Sequence, residues 1–208
     1  MKTWDDFLPN VAGILPGCPA YVIRDKLREA AIDFLNRSRV WRVEHVTLGN
    51  TISGTRVHWV TTNPEDAGLT HLHRVWIGGE EVEIMVPGES DDAAPGETAE
   101  ADKMMVELAG RASLILSPAP RVGGQAIVAT VSYAPTEIAL GVTDAVYRAH
   151  HEAIERRATA ELMAEPGKPW SNPALAGAHM GRYDELQREA AELAGPVRRR
   201  PLRARSWG

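Results

Sequence analysis

Two helical periodicities stand towards the ends of this chain, and a block of alternating segments stands between them. Any fold open to the chain must accommodate that switch. Over 19–38, Val22, Ile23, Leu27, Ala30, Ala31, Phe34 and Leu35 recur at three- and four-residue spacings, which makes one apolar stripe of a helix. Arg24, Asp25, Lys26, Arg28, Glu29 and Asp33 mostly fill the other face. Pro19 suits the first turn, where its missing N–H has no helical partner to lose. At Val40 the period becomes two. The segments 40–48, 55–62, 70–77 and 81–87 alternate, are rich in β-branched and aromatic residues, and are bounded by turn signals such as Gly49-Asn50, Asn63-Pro64 and Gly78-Gly79. Two more strands are expected at 112–117 and 125–133, separated by Pro118-Ala-Pro-Arg-Val-Gly-Gly. Between the two groups, 88–98 is loop-like, and Met104, Met105 and Leu108 share a face of a short helix expected over 99–110.

Helical spacing returns after Ala134-Pro135-Thr136. A helix is expected over 136–164, interrupted near Gly141-Val-Thr-Asp with Thr143 as a cap, and ended by Pro166-Gly167. Another is expected over 172–194, with Asn172 as N-cap, Pro173 at the first helical position and Gly195-Pro196 as the stop. The first twenty residues carry three prolines and two glycines, which excludes a long helix. They still hold Trp4, Phe7, Leu8, Val11, Ile14 and Leu15, so they should pack onto the rest, with a short helix at 3–8. The expected architecture is α+β: an α-helical bundle with an inserted small β-domain and an extended C-terminal tail. Its parts are an N-terminal segment and first bundle helix (1–39), the inserted β-domain with an acidic loop (40–133), two bundle helices (134–195) and a basic tail (196–208).

The 208 residues can bury a core without disulfide staples, and the single cysteine, Cys18, rules out an intramolecular disulfide and multi-cysteine zinc sites. No apolar run approaches the ~18 residues of a membrane span. The opening Met1-Lys-Thr-Trp-Asp-Asp lacks the apolar core and cleavage site of a signal peptide, so a reducing cytoplasm is the expected place of synthesis. The net charge of −5 hides an asymmetry: nine acids and no base over 80–102, and five arginines and no acid from Gly195 onwards.

The chain contains no phosphate-binding Gly-x-x-x-x-Gly-Lys-Ser/Thr loop and no Gly-x-Ser-x-Gly elbow. Gly78-Gly79 and Gly123-Gly124 read as turns. His71-Leu72-His73 puts two imidazoles on one strand face, a pattern that ligates metals, and His45 and His58 lie on other strand candidates; a merely polar strand face fits the same residues. His150-His151-Glu152-Ala-Ile-Glu155 lacks the second histidine of a zinc-protease helix. Cys18, just before a helix, has no adjacent base to activate it. The acids over 80–102 lack calcium-loop spacing and read as a solvated loop. No cofactor and no catalytic residue is expected. The tail arginines suit nucleic-acid phosphates or an acidic protein groove; Leu202, Ala204 and Trp207 favour the groove, and a disordered tail is the third reading.

Several phrases, in order along nearly the whole chain, resemble the head-to-tail adaptor (connector) proteins of tailed bacteriophages and related gene-transfer particles. They are Pro16-Gly-Cys-Pro, Leu27-Arg-Glu-Ala-Ala-Ile-Asp-Phe-Leu, Ser38-Arg-Val-Trp-Arg, Leu114-Ile-Leu-Ser-Pro-Ala-Pro, Val131-Ser-Tyr-Ala-Pro-Thr, Lys168-Pro-Trp-Ser-Asn-Pro with Leu175-Ala, and Pro201-Leu-Arg-Ala-Arg-Ser-Trp-Gly. The stretch 80–102 is longer and more charged than in that family. The resemblance implies a non-enzymatic virion protein of the neck, assembled in the host cytoplasm. About twelve copies would ring the DNA channel beneath the portal protein, each meeting the next through a different surface. The remaining partners would be the next tail or neck component and the double-stranded DNA in passage. Arg198, Arg199, Arg200, Leu202, Arg203, Arg205 and Trp207 would dock onto the portal, and the acids over 80–102 would keep DNA moving through the lumen. The alternative is a metal- or nucleic-acid-binding protein using the His71/His73 strand or the arginine tail.

Overall fold

The computed structural model describes residues 1–61, 64, 66–85 and 104–195. Three long helices form one layer. Helix α2 (Ala20–Ser38) buries Ile23, Leu27, Ala30, Ala31, Phe34 and Leu35, the stripe read from the spacing. It ends at Arg39, whose left-handed φ of 57° turns the chain while its N–H still donates to Leu35 O at 3.0 Å. Helix α3 (Asp144–Ala164) starts at Thr143, whose side chain accepts from the Val146 N–H. Helix α4 (Pro173–Ala194) starts at Asn172, which accepts from Leu175 N–H at 3.2 Å. Contacts between Met163 and Asn172, Arg156 and His179, and Glu152 and Arg182 make α3 and α4 an antiparallel hairpin. The helix expected over 136–164 begins only at Asp144: 136–140 are not helical, and Gly141–Val142 (β9) pairs with Lys2–Thr3 (β1) where a break within a helix was expected.

That pairing also seats the N-terminal segment. A 3-10 turn (Trp4–Asp6) and the short helix α1 (Leu8–Ala12) bury Trp4, Phe7, Val11 and Leu15 against α2 and α3. Trp4 Nε1 donates to Ala139 O at 2.7 Å.

The rest is one seven-stranded sheet: β2 (Arg42–Asn50), β3 (Val57–Trp59), β4 (Ala67–Ile77), β5 (Glu80–Ile84), β6 (Met105–Ala109), β7 (Ser113–Ser117) and β8 (Ala126–Pro135), in the order β2-β8-β4-β5-β6-β7-β3. All pairings are antiparallel except β5–β6. The sheet curls until its two edges approach, and Thr61 N–H, just past β3, donates to Leu48 O of β2 at 2.9 Å. Curling lets one face enclose its own core, with Leu69, Val75, Val106, Leu114, Leu116, Ile127 and Val131 inside. Strand β8 alternates at its start and is continuously buried from Ala129, because α2 covers its second face. Trp41 packs against both cores and lies 5.8 Å from Tyr133 between ring centroids.

This overturns the expected helical bundle with an inserted small β-domain. The fold is mixed α/β and more sheet-dominated, with a large curled sheet. Two physical causes account for the error. First, β4 and β8 are longer than the alternating segments that announced them, running 11 and 10 residues, because β4 extends back to Ala67 and β8 on to Pro135. Second, the helix expected over 99–110 is a strand where it is described. Met105–Ala109 pairs residue for residue with β7 and lies parallel to β5, so sheet pairing overrides the helical preference of Met, Glu, Leu and Ala. The expected extended tail, 196–208, lies outside the described residues.

Candidate interaction surfaces

The seven tail residues expected to dock, Arg198, Arg199, Arg200, Leu202, Arg203, Arg205 and Trp207, lie outside the described residues. So does most of the acidic stretch. Of its acids, Glu80, Glu81 and Glu83 are described, on β5, and Glu81 pairs with Arg74 across to β4 at 3.5 Å.

The two histidines of β4 are brought together, with ring centroids 4.8 Å apart. Each is already engaged. His71 Nε2 meets the Arg39 guanidinium at 3.2 Å, and His73 Nε2 meets Ser132 Oγ at 2.7 Å. Burial first, and the neighbouring arginines second, lower both imidazoles from 6.5 to about 4; for His73, His71 adds its own repulsion ahead of Arg42 and Arg39. Both are therefore neutral at pH 7. His45 and His58 do not join them. His45 stacks on Trp76 at 5.1 Å, and His58 is buried on β3 with Nε2 against Thr55 O. Among the described residues no group of three or more His, Cys, Asp or Glu side chains converges to hold a metal ion. A guanidinium against His71 also repels a cation there.

The other sequence candidates have ordinary surroundings. His150 lies against Phe34, and His151 stacks on Tyr147 while its Nδ1 meets Tyr147 O at 3.0 Å. Cys18 is half-buried beside the helical core, and burial, with Glu165 behind it, raises its thiol pKa, the reverse of an activated nucleophile. No helix among the described residues is long and apolar enough to cross a membrane.

Three surfaces stand out in their place. The first is the outer face of α4. Its buried residues are only Ala176, His179, Tyr183 and Ala190, a narrow stripe. Ala174, Gly177, Ala178 and Gly181 lie exposed at i, i+3, i+4 and i+7, and a Cβ added at either glycine meets nothing within 4 Å. Over its first two turns this face is smooth, a shape that lets another helix approach closely, and beyond them exposed Glu185 and Arg188 continue it as a charged face.

The second surface is apolar. Val57 and Trp59 point outward from β3 on either side of buried His58, and Trp59 is 73% exposed. Exposed Ile52 and Val122 sit on two loops tied together by Thr51 Oγ1 to Val122 O (2.9 Å) and Ser53 Oγ to Arg121 O (2.9 Å). The alternation Val57-His58-Trp59 was a usable signal, since two apolar residues flank one polar residue that turned inward.

The third is a cleft of about 280 Å³ where α1, α3 and α4 meet, lined by Asn10, Val11, Ile14, Glu152, Glu155, Arg156, Thr159 and His179. Nothing in the sequence announced it, because its residues come from three separated segments. The carboxylate of Glu152 is occupied by Arg156 (3.6 Å) and Arg182 (3.5 Å). Arg156 Nη1 also meets His179 Nδ1 at 3.2 Å. Glu155 accepts only from Asn10 Nδ2, at 2.9 Å, and no cation among the described residues forms an ion pair with it. Burial raises its pKa above the usual carboxylate value, against the opposing pull of Asn10, His151 and Arg156.

No family model matches this chain, and no curated protein matches it in sequence.

Proposed function

We propose that the chain is a structural, non-catalytic subunit of a virion neck: a head-to-tail adaptor of a tailed bacteriophage or related gene-transfer particle, built into a ring between portal and tail. The observation that carries this reading is the outer face of α4, which no described residue covers, four exposed small residues opposite a narrow buried stripe. Side-by-side packing of copies through such a face gives the heterologous contact that closes a ring. The ordered phrases from Pro16 to Trp207 resemble the adaptor family, and that resemblance implies the identity of the ring and a copy number of about twelve. The exposed apolar residues of β3, Val57 and Trp59, offer a second contact, to the neighbouring subunit or the next tail component. The arginine-rich tail with Leu202 and Trp207 would seat on the portal, and many copies would offset the entropy of ordering each tail. The acids over 80–102 would face passing DNA and repel its phosphates.

Native mass spectrometry of the chain, alone and with the portal protein encoded beside it, tests the reading. Loading of about twelve copies onto one portal is the expected result. A chain lacking 197–208 should keep its fold and lose portal binding. A full-length chain that ignores the portal, or a truncated chain that binds it normally, rejects the docking role.

A further inference from the structure

The cleft between α1, α3 and α4 is more specific than a gap between helices. Its floor is polar and buried: Thr159 is 1% exposed and His179 is 9% exposed. Its wall is apolar, formed by Val11 and by Ile14, which is 44% exposed. The acidic groups inside are not equivalent. Glu152 is spent on two arginines, whereas Glu155 has a single neutral hydrogen-bond partner. Arg156 and His151 pull on Glu155 without forming an ion pair with it, so the carboxylate keeps room for a cation in direct contact.

We propose that this cleft receives an arginine side chain from the chain's own C-terminal segment, with the guanidinium on Glu155 and the aliphatic stem along Val11 and Ile14. Three features of the molecule single out this occupant. The chemistry fits: a guanidinium matches a carboxylate in a bidentate fork, and its stem accepts an apolar wall. A divalent metal fits less well, because it needs several oxygen ligands and the cleft offers one carboxylate that no arginine already holds. Charge supply fits: five arginines and no acid follow Gly195. Reach fits too. From Gly195 back along α4 to His179 is about 24 Å at ~1.5 Å per residue. The eight residues from Gly195 to Arg203 span ~26–29 Å when extended. Arg203 and Arg205 therefore attain the cleft, while Arg198 and Arg199 fall short even with their side chains extended. This inference concerns the free chain and does not rest on the adaptor reading.

The test uses the full chain without any portal. In the wild-type protein, a carboxyl-carbon NMR titration should place Glu155 at or below the ordinary glutamate value. In Arg203→Gln/Arg205→Gln it should rise by about one unit or more, the size expected on losing an opposite charge at contact distance. Arg198→Gln/Arg199→Gln should leave it unmoved, which separates contact from general electrostatics. A covalent trap gives an independent readout. With Cys18→Ser, the pair Ile14→Cys/Ala204→Cys, which keeps Arg203 and Arg205, should form an intramolecular disulfide at least tenfold faster than Ile14→Cys/Arg198→Cys. Equal titration of Glu155 in all three chains, or equal trapping at 198 and 204, overturns the proposal. Neither result touches portal binding, so the adaptor reading can fail or stand on its own.

Discussion

Tyr183 of α4 donates its hydroxyl hydrogen to Asp33 Oδ2 of α2 at 2.8 Å, and the same oxygen meets the Arg157 guanidinium of α3 at 2.8 Å. One carboxylate thus joins all three long helices. Arg157 also reaches Glu161 at 3.0 Å and lies over the Tyr183 ring, 5.1 Å from its centroid. The site is mostly buried, and burial together with the bond to Asp33 raises the phenol's pKa far above the ordinary tyrosine value.

The two ends of that hydrogen bond should respond unequally. Tyr183→Phe keeps the ring and loses one hydrogen bond, at about 1 kcal/mol. Asp33→Ala leaves the buried Tyr183 hydroxyl without its acceptor and the partly buried Arg157 guanidinium with Glu161 alone, at about 2 kcal/mol. Urea denaturation of both variants measures the difference, and equal losses would show that Asp33 is not the hub.

Acid should weaken the fold through His71 and His73. Their folded pKa values of about 4 lie below the unfolded 6.5, so the native state favours the neutral form. The unfolded chain takes up protons first, and stability falls as pH drops from about 6.5 towards 4. The ceiling is on the order of 3 kcal/mol per histidine, less for a coupled pair. His71→Gln/His73→Gln should flatten the stability–pH curve in this window; an unchanged slope would assign the acid sensitivity elsewhere.

Glycines on α4 and in β9 should behave in opposite ways. At Gly177 and Gly181 there is open space, so Ala should stabilise the isolated chain by about 0.5–1 kcal/mol. At Gly141 an added Cβ collides with the Lys2 backbone, and Ala should cost at least ~2 kcal/mol by prising β1 from β9. Thermal melts of the three variants decide it. Gly177→Leu/Gly181→Leu should keep the monomer folded and reduce ring loading on the portal; normal loading would release the α4 face from the ring contact.

Trp59→Ser should leave thermal stability within ~0.5 kcal/mol, since the side chain is largely in solvent. If Val57 and Trp59 form an assembly contact, the same change weakens assembly about tenfold or more, as loss of an aromatic anchor does. Sedimentation measurements on wild type and variant give the answer.

The helices were legible because their causes are local. Thr143, Asn172 and Pro173 act within one turn, and the stripe from Ile23 to Leu35 lies on one element. The sheet was legible only in part. Alternation marked most strands, but the extent of β4 and β8 depends on each pairing with the other, which no local pattern contains. Met105–Ala109 was misread for the same reason, since its neighbours in the sheet lie before and after it in the chain. The cleft around Glu155 was invisible, as Asn10, Glu155 and His179 meet only after three helices pack. The pairing of His71 with His73 was visible; the arginine that holds His71 was not, because the left-handed turn at Arg39 brings it there.

The chain enters the sheet and leaves it at almost the same place. Arg42 sits opposite Ser132, and Tyr133 N–H donates to Trp41 O at 2.9 Å, so some ninety residues are cinched shut at one knot beside the end of α2. Closing a loop of that length from an unstructured chain costs on the order of 4 kcal/mol. Once the sheet has formed, that cost is already met, and the end of α2 is delivered to within one short connection of α3. Whichever half forms first, the pairing of Arg42 with Ser132 makes the barrel-like half a splint that holds the end of α2 near the start of α3.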